Sequence, residues 1–526
     1  MEELSRSTAV EMETTIDAIN DDLLHNILSR LPALACANAA CVNRSWNLII
    51  TSLLSLPNLS SALSINPSLQ DAVNEAVDKV LSKPIRPQFA IASVGPSFSL
   101  QQAHQLITGK LGSRIPIVTL ISQGIFGCNA VDDEFKEVQW QFIENDEDHP
   151  DHVNENHGVL LTVGFLPGLK VSLIPLLSKT RGTQALMIDE LVRNIRECSS
   201  SVSGSASPVA ILLFSDHETD MKPVLQKLDY AFCQETVIVG EGGSQFLYQG
   251  EAAVDHSNDA EYSSAAVALS FLRDTGNPPA GVGETQFHVV LAPGMAQIGP
   301  TYKAVAVRER PRDFSTWLTA KREAQVESLD GLTMFDQIYD EYGGDLYCSA
   351  LYIGVSKRRK CSIGKEKASW IYLQEFHEVL RGDEEYLYVN GVGIRSGDSF
   401  QFYLANANAT RDSCNNASNN ITRLKRDLDH QNAGCSTYKK SVFGCLMFSC
   451  CGRGEFFLQP ILDCSPFVDN FPGITFSGTF SAAEIARGDL SQYGPVSEER
   501  SSLRCCLHVY STVYLIMSFT PASPST

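Results

Sequence analysis

From Gln88 onward, short β-rich runs alternate with helical patterns, and this alternation limits the chain to stacked layers of sheet and helix. QFAIASV (88–94), IPIVTLIS (115–122), GVLLTVGF (158–165), PVAILLF (208–214) and ETVIVG (235–240) read as strands. SLQQAHQLITGKLG (99–112) and QALMIDELVRNIRECSS (184–200) read as helices between them. A buried strand must cover both faces, and helices laid on the sheet do this, so the pattern predicts a layered α+β or α/β core. A second β-rich region continues through FHVVLAP, YKAVAVRER, LYCSALYIGV, YLYVNGVGI and SFQFYLA to the closing strands SVFGCLMFSC, ITFSGTF and HVYSTVYLIMSF. No repeat period and no LxxLxLxxN series appear, so a leucine-rich solenoid is not expected.

Composition narrows the functions such layers can serve. The chain carries 41 Lys and Arg against 61 Asp and Glu, a net charge of 41 − 61 = −20. That field repels phosphate backbones and anionic membrane surfaces, so neither nucleic acid nor membrane is an expected partner. The acidic N-terminus has no apolar run and reads as neither a signal nor a transit peptide. The longest apolar stretch, residues 507–519, falls short of the roughly 20 residues that span a bilayer. We therefore expect a cytoplasmic or nuclear protein whose 15 cysteines are reduced thiols.

Residues 14–54 form a distinct helical unit. Ile16, Ile19, Leu23, Ile27 and Leu31 lie on one helical stripe that Leu24 and Leu28 widen. Asn20, Asp21 and Asp22 supply capping oxygens and negative charge at its start, and Pro32 ends it. Val42, Trp46, Ile49 and Leu53 continue an apolar face. A unit this small cannot bury so much alone. Either it packs on the rest of the chain, or it docks a partner through a helix face.

Residues 55–87 (with LQDAVNEAVDKVL, closed by KPIRP) read as a helical linker. Residues 144–157, rich in Asp and Glu, read as a solvated loop. RDTGNPPAGVGE (273–284) reads as a boundary or a hairpin crossover, residues 314–344 as helical, and the Asn-rich part of 406–434 as a loop ahead of a short helix LKRDLDHQ.

INDDLLHNILSRLPALACANAACVNRSW resembles an F-box at Asp21, Leu23, Leu24, Ile27, Leu28, Leu31, Pro32, Leu34, Val42, Arg44 and Trp46, while Asn20 and Asn43 replace a usual Pro and Cys. The resemblance implies docking to the Skp-type adaptor of a cullin-RING ubiquitin ligase through Leu23, Leu24, Ile27, Leu31, Pro32, Val42 and Trp46. The remainder resembles a FIST sensory region of plant type. The motifs are ISQGIFGCNAVDDEFKEVQW and GVLLTVGFLPGLKVSLIPLL for FIST-N (88–280), and GCLMFSCCGRGEFF and FPGITFSGTFSAAEIARGDL for FIST-C (281–519). Ala482 and Ala483 depart from the small-residue turn usual there. Residues 1–13 and 520–526 are expected to be disordered tails. The order F-box, FIST-N, FIST-C implies a substrate-recognition subunit without chemistry of its own. Alternatively, FIST regions are thought to bind amino-acid-like molecules, and the chain would then be a ligand sensor.

Arg453 in the CCGRGEFF turn and Glu484 in GTFSAAEIARGD each follow an apolar strand. They could pair with each other or clasp the two ends of a zwitterionic ligand. No GxSxG, HExxH, Walker A or GxGxxG motif is present, so no catalytic residue is assigned. DHETD (216–220) reads as helix capping, GEGGSQF (240–246) as a turn, and KRRK (357–360) as a basic hairpin or an import signal. His149, His152 and His157 belong to the acidic loop. Cys445, Cys450, Cys451 and Cys464 lack CxxC spacing, so neither metal nor cofactor is expected.

Overall fold

The computed structural model describes residues 19–140, 156–179, 184–250, 262–275, 283–322, 325–342, 350–432, 439–453, 463–489 and 503–522. The expectations for residues 1–18, for most of the acidic stretch 144–157 and for the tail beyond 522 lie outside these. The chain divides into two compact units. One runs to Leu56 and includes Leu81–Arg86; the other holds Pro57–Val80 and everything from Pro87 onward.

The first unit has three short helices: α1 (Asp21–Leu28), α2 (Ala33–Ala39) and α3 (Arg44–Leu53). Leu24, Leu28, Cys36, Ala39 and Ile50 form its buried centre. The backbone N–H of Ala33 donates to Leu81 O at 2.8 Å, which ties the returning segment to the start of α2.

The second unit is built from three sheets and a closed barrel. The first sheet runs Asn58–Ser64, Val159–Phe165, Phe89–Val94, Ile117–Ile121, Phe246–Gln249. The second runs Leu503–His508, Ala483–Asp489, Val237–Gly242, Ala210–Ser215, Tyr262–Arg273, Leu169–Lys179. The third runs Glu284–Pro293, Ser511–Thr520, Ser441–Cys450, Thr475–Ser481, Gly124–Cys128, Phe135–Gln139. Helices carry the crossovers between parallel neighbours: Leu100–Leu111 links Phe89–Val94 to Ile117–Ile121, and Lys222–Ala231 links Ala210–Ser215 to Val237–Gly242.

Alternation along the central strands builds the layers. Ala210, Leu212 and Phe214 enter one core with Val513, Leu515 and Met517, which packs the second sheet against the first and third. Their neighbours Ile211 and Leu213 face the other way, toward Ile188, Leu191 and Val192 of the helix Gln184–Ser203 and Val224 and Leu228 of Lys222–Ala231. Tyr514 and Ile516 likewise face Ala417, Ile421 and Leu428 of the helix Ala407–Asn432. A period of two with both faces apolar is what a strand sandwiched between layers requires.

The barrel joins Met295–Arg310, Ser315–Arg322, Leu387–Asn390, Ser369–Gly382, Ala350–Cys361 and Ser399–Ala405. Leu318, Phe400 and Phe402 fill it, and the helix Gly331–Tyr342 adds Met334 and Ile338 to the same core.

Four expectations are corrected. Residues 55–87 are not a helical linker: Asn58–Ser64 pairs along its whole length with Val159–Phe165, and Ala72, Val73, Ala76 and Val77 of the helix Leu69–Val80 are buried. The border drawn at residue 280, which left open whether the two parts share a core, is crossed by two sheets: the third sets Gly124–Cys128 beside Thr475–Ser481 and the second sets Val237–Gly242 beside Ala483–Asp489. Ser315–Arg322 is a strand, since Thr316, Leu318 and Ala320 are buried while Trp317 and Thr319 between them are not. The Asn-rich segment is part of the 26-residue helix Ala407–Asn432.

Candidate functional site

In the first unit, asparagines start two of the three helices. Asn20 Oδ1 accepts the N–H of Leu23 at 2.8 Å, and Asn43 Oδ1 accepts that of Trp46 at 2.8 Å. Both asparagines stand where the family pattern has another residue, and each satisfies a donor that the first helical turn leaves open. Asn47 Nδ2 donates to Ala40 O at 3.0 Å, tying α3 to the end of α2.

With Leu24 and Leu28 turned into the centre, the neighbouring stripe of α1 is left outside. Leu23 is 59% and Ile27 49% exposed, and Val42, ahead of α3, is 61% exposed. Leu34, Leu48 and Leu56 are also exposed. Soluble surfaces scatter single apolar side chains; here six lie within thirty-odd residues of one small unit. Pro32 is exposed, and Leu31 and Trp46 are half-buried against the centre. Leu24 is 4% exposed. It belongs to the unit's own core and does not join the exposed stripe, because it lies about 100° around the helix from Leu23.

In the second unit, Arg453 and Glu484 are both buried but do not pair. The chain leaving Ser441–Cys450 tightens into a single 3₁₀ turn, Cys451–Arg453. There the Arg453 guanidinium grips Asp463 in two-point fashion, with Nε to Oδ2 at 3.0 Å and Nη2 to Oδ1 at 2.6 Å. Nη1 donates to Tyr510 O at 3.1 Å and Nη2 also reaches Cys414 Sγ at 3.1 Å. Burial pushes the Asp463 carboxyl up, but the guanidinium outweighs this and holds it below the usual range. All three guanidinium nitrogens are engaged by protein, so Arg453 offers a ligand no open face.

Glu484 instead accepts hydrogen bonds from Ser481 Oγ at 3.1 Å and Ser511 Oγ at 2.9 Å. Directly across the strand pair stands Glu241, whose carboxylate accepts from Ser244 Oγ and Thr479 Oγ1. Neither side chain reaches solvent. Burial lifts Glu241 to about 7 and pushes Glu484 well above the carboxylate range, with the hydroxyl donors only partly offsetting it. Two buried carboxyls, each hydrogen-bonded to two hydroxyls, make a polar core whose hydrogen bonds are met within the protein.

The weaker motifs resolve structurally. Asp216 accepts the N–H groups of Glu218 and Thr219, and Asp220 that of Lys222, so DHETD shapes the approach to a helix. Gly243 and Ser244 turn the chain between Val237–Gly242 and Phe246–Gln249. KRRK lies within the strand Ala350–Cys361, where Lys357 pairs with Glu375 at 2.5 Å and Arg359 with Asp398. His149 and His152 are outside the described residues. Cys445, Cys450 and Cys464 are buried thiols. Asp463 was not legible as the partner of Arg453, since no spacing rule connects positions 453 and 463.

Residues 16–58 match the F-box domain model. The chain is similar to an F-box/LRR-repeat protein of Arabidopsis thaliana, with 39% identity over 511 residues that cover 96% of this chain and 94% of the relative. The described residues of the large unit form sheets and a barrel, not a stack of repeats. A capped three-helix unit with an uncovered apolar stripe, a domain match over that unit and a full-length relative agree: the chain belongs to the F-box protein family.

Proposed function

We propose that the protein is the substrate-recognition subunit of an SCF-type cullin-RING E3 ubiquitin ligase, acting in the cytoplasm or nucleus. The first unit docks a Skp-type adaptor. The large unit, which resembles a FIST region, holds a target protein for ubiquitination and proteasomal degradation. The observation that carries this reading is the exposure of Leu23 and Ile27 on one face of α1, and of Val42, on a unit that already has a buried centre of its own. Such a unit keeps its fold while offering apolar surface, which is what helix-face docking needs. The chain's contribution is proximity: holding a target beside the charged ubiquitin carrier raises effective concentration, and bond making happens elsewhere in the complex.

The test is affinity capture of the tagged full chain from cells under proteasome inhibition. The wild type should bring down adaptor, cullin and ubiquitinated proteins. Leu23→Asp with Ile27→Asp should lose adaptor and cullin yet keep the target. Adaptor retained by the double variant overturns the reading.

A further inference from the structure

The large unit carries a basic, aromatic platform that no part of the account above uses. It lies at the far end of the barrel hairpin formed by Ala350–Cys361 and Ser369–Gly382. Alternation sorts the four cations of residues 357–360 into two pairs. Lys357 and Arg359 point inward and are neutralised by Glu375 and Asp398. Arg358 and Lys360 point outward, directly across the ladder from Tyr372 and Trp370. The Arg358 guanidinium lies 5.0 Å over the Trp370 ring and 5.5 Å over Tyr372, and the Lys360 ammonium 5.3 Å over Trp370.

The turn beyond adds Lys365 and Lys367, and its one acidic residue, Glu366, is taken by Arg196 at 2.6 Å. All of residues 364–370 are exposed, and Trp370 is 53% exposed. The turn is nevertheless anchored. Ile363 is buried among the helices of the second sheet, Gly364 N–H donates to Asp189 Oδ2 at 2.9 Å, and Lys227 pairs with Asp189 at 2.6 Å. In a chain of net charge −20, this is a preformed positive patch around a half-exposed indole.

We infer that this platform binds an acidic, extended peptide segment of a partner protein. The inference names the partner class of the receptor unit and rests on the recruitment reading above. Arg358 and Lys360 stand two residues apart on one strand face, about 7 Å. That is also the spacing of alternate side chains in an extended peptide, so carboxylates at alternate positions meet both cations. An apolar residue of the same peptide covers Trp370, and Trp and Arg are the residue types that most often anchor interfaces. A long polyanion fits less well: four cations make a short track, and the acidic remainder of the chain repels a phosphate backbone or an anionic bilayer.

An internal comparison sharpens the assignment. Arg308, Trp317, Tyr388 and Arg381 face one another across successive barrel strands, and Arg381 stacks on Tyr388 at 4.1 Å. Arg310 adds to that row over Trp317 at 4.2 Å, and the adjoining turn sets Asp383, Glu384 and Glu385 against its cations, Asp383 beside Tyr388, whereas the turn at 362–368 offers one acid.

The test is fluorescence anisotropy of the full chain with a fluorescein-labelled twelve-residue peptide carrying Glu at every second position and Phe near its centre. Binding should weaken as salt shortens the screening length. Trp370→Ala, and separately Arg358→Glu with Lys360→Glu, should each weaken it by ~10-fold or more, while Arg381→Glu leaves it unchanged. These are surface positions, so the variants should keep the wild-type melting temperature. The inference fails if the Gln-for-Glu peptide binds equally, if Arg381→Glu is as damaging, or if the Trp370 and Arg358 variants bind like wild type. It fails too if a single-stranded oligonucleotide or phosphatidylserine vesicles bind through these residues more tightly than the peptide. Adaptor capture is scored separately on the same preparations: its absence from the wild type would sink the recruitment reading while leaving the peptide result standing.

Discussion

Leu28→Ala and Leu23→Ala separate holding the first unit together from holding a partner. Leu28 is fully buried in a five-residue centre, whereas Leu23 on the same helix is 59% exposed. Truncating a fully buried Leu costs about 2.7–5 kcal/mol in lost transfer energy and cavity formation. A unit of some forty residues is stabilised by only ~2–6 kcal/mol at the usual per-residue range. Leu28→Ala should therefore remove most or all of the unit's stability. Burying a Leu side chain completely contributes roughly 1.5–3 kcal/mol. Leu23 buries about two-fifths of its surface, so its truncation should cost ~0.6–1.2 kcal/mol and leave the unit folded. Hydrogen–deuterium exchange of peptides covering residues 21–54, read in the full chain, tests the contrast. Leu28→Ala should bring them to near-complete exchange, Leu23→Ala should stay close to wild type, and peptides from 208–214 and 511–520 should be unmoved in both. Equal protection of residues 21–54 in the two variants would refute the assignment of one leucine to the core and the other to the surface.

Arg453→Met leaves the Asp463 carboxylate buried without its cation, which should cost about 3–5 kcal/mol, read as a lower urea midpoint; adding Asp463→Asn should recover part of it. Glu241, pushed up to about 7 from 4.5, binds its proton more tightly folded than unfolded. Its stabilising contribution is complete below pH 4.5 and is lost as pH rises through about 7, on the order of 3 kcal/mol in all. The difference in unfolding free energy between wild type and Glu241→Gln should move in the variant's favour across that window, and a difference independent of pH would contradict it. Gly240→Ala would bring a Cβ within 1.9 Å of Leu213 O on the paired strand, so the second sheet should lose about 1–3 kcal/mol by the same measurement.

Much of the fold was legible where one physical signal dominated. The runs at 208–214 and 511–519 are apolar on both faces, and only a strand between two layers satisfies them. The F-box unit was legible because helical spacing, capping residues and the Pro32 break all agree. The misread segments are those where local preference and tertiary burial conflict. Residues 407–432 are rich in Asn, a poor helix former, yet Ala417, Ile421 and Leu428 recur at helical spacing and bury against the third sheet. Asn58–Ser64 was hidden because NLSSALS is too polar to announce a strand, and its partner lies a hundred residues on. The pairing of Arg453 with Asp463 needed the chain's path in space, since no spacing rule connects them. The platform at Trp370 escaped because KRRK reads as one basic block until the strand sends alternate cations to opposite faces.

The most direct measurement is isothermal titration calorimetry of the purified full chain against a purified Skp-type adaptor, for wild type and for Leu23→Asp with Ile27→Asp. We expect one adaptor bound per chain for the wild type, with a binding enthalpy that becomes more negative as temperature rises because apolar surface is buried, and a dissociation constant at least ~100-fold weaker in the double variant. Unchanged affinity in a double variant that exchanges hydrogen like wild type, or no adaptor bound by the wild type, would contradict it.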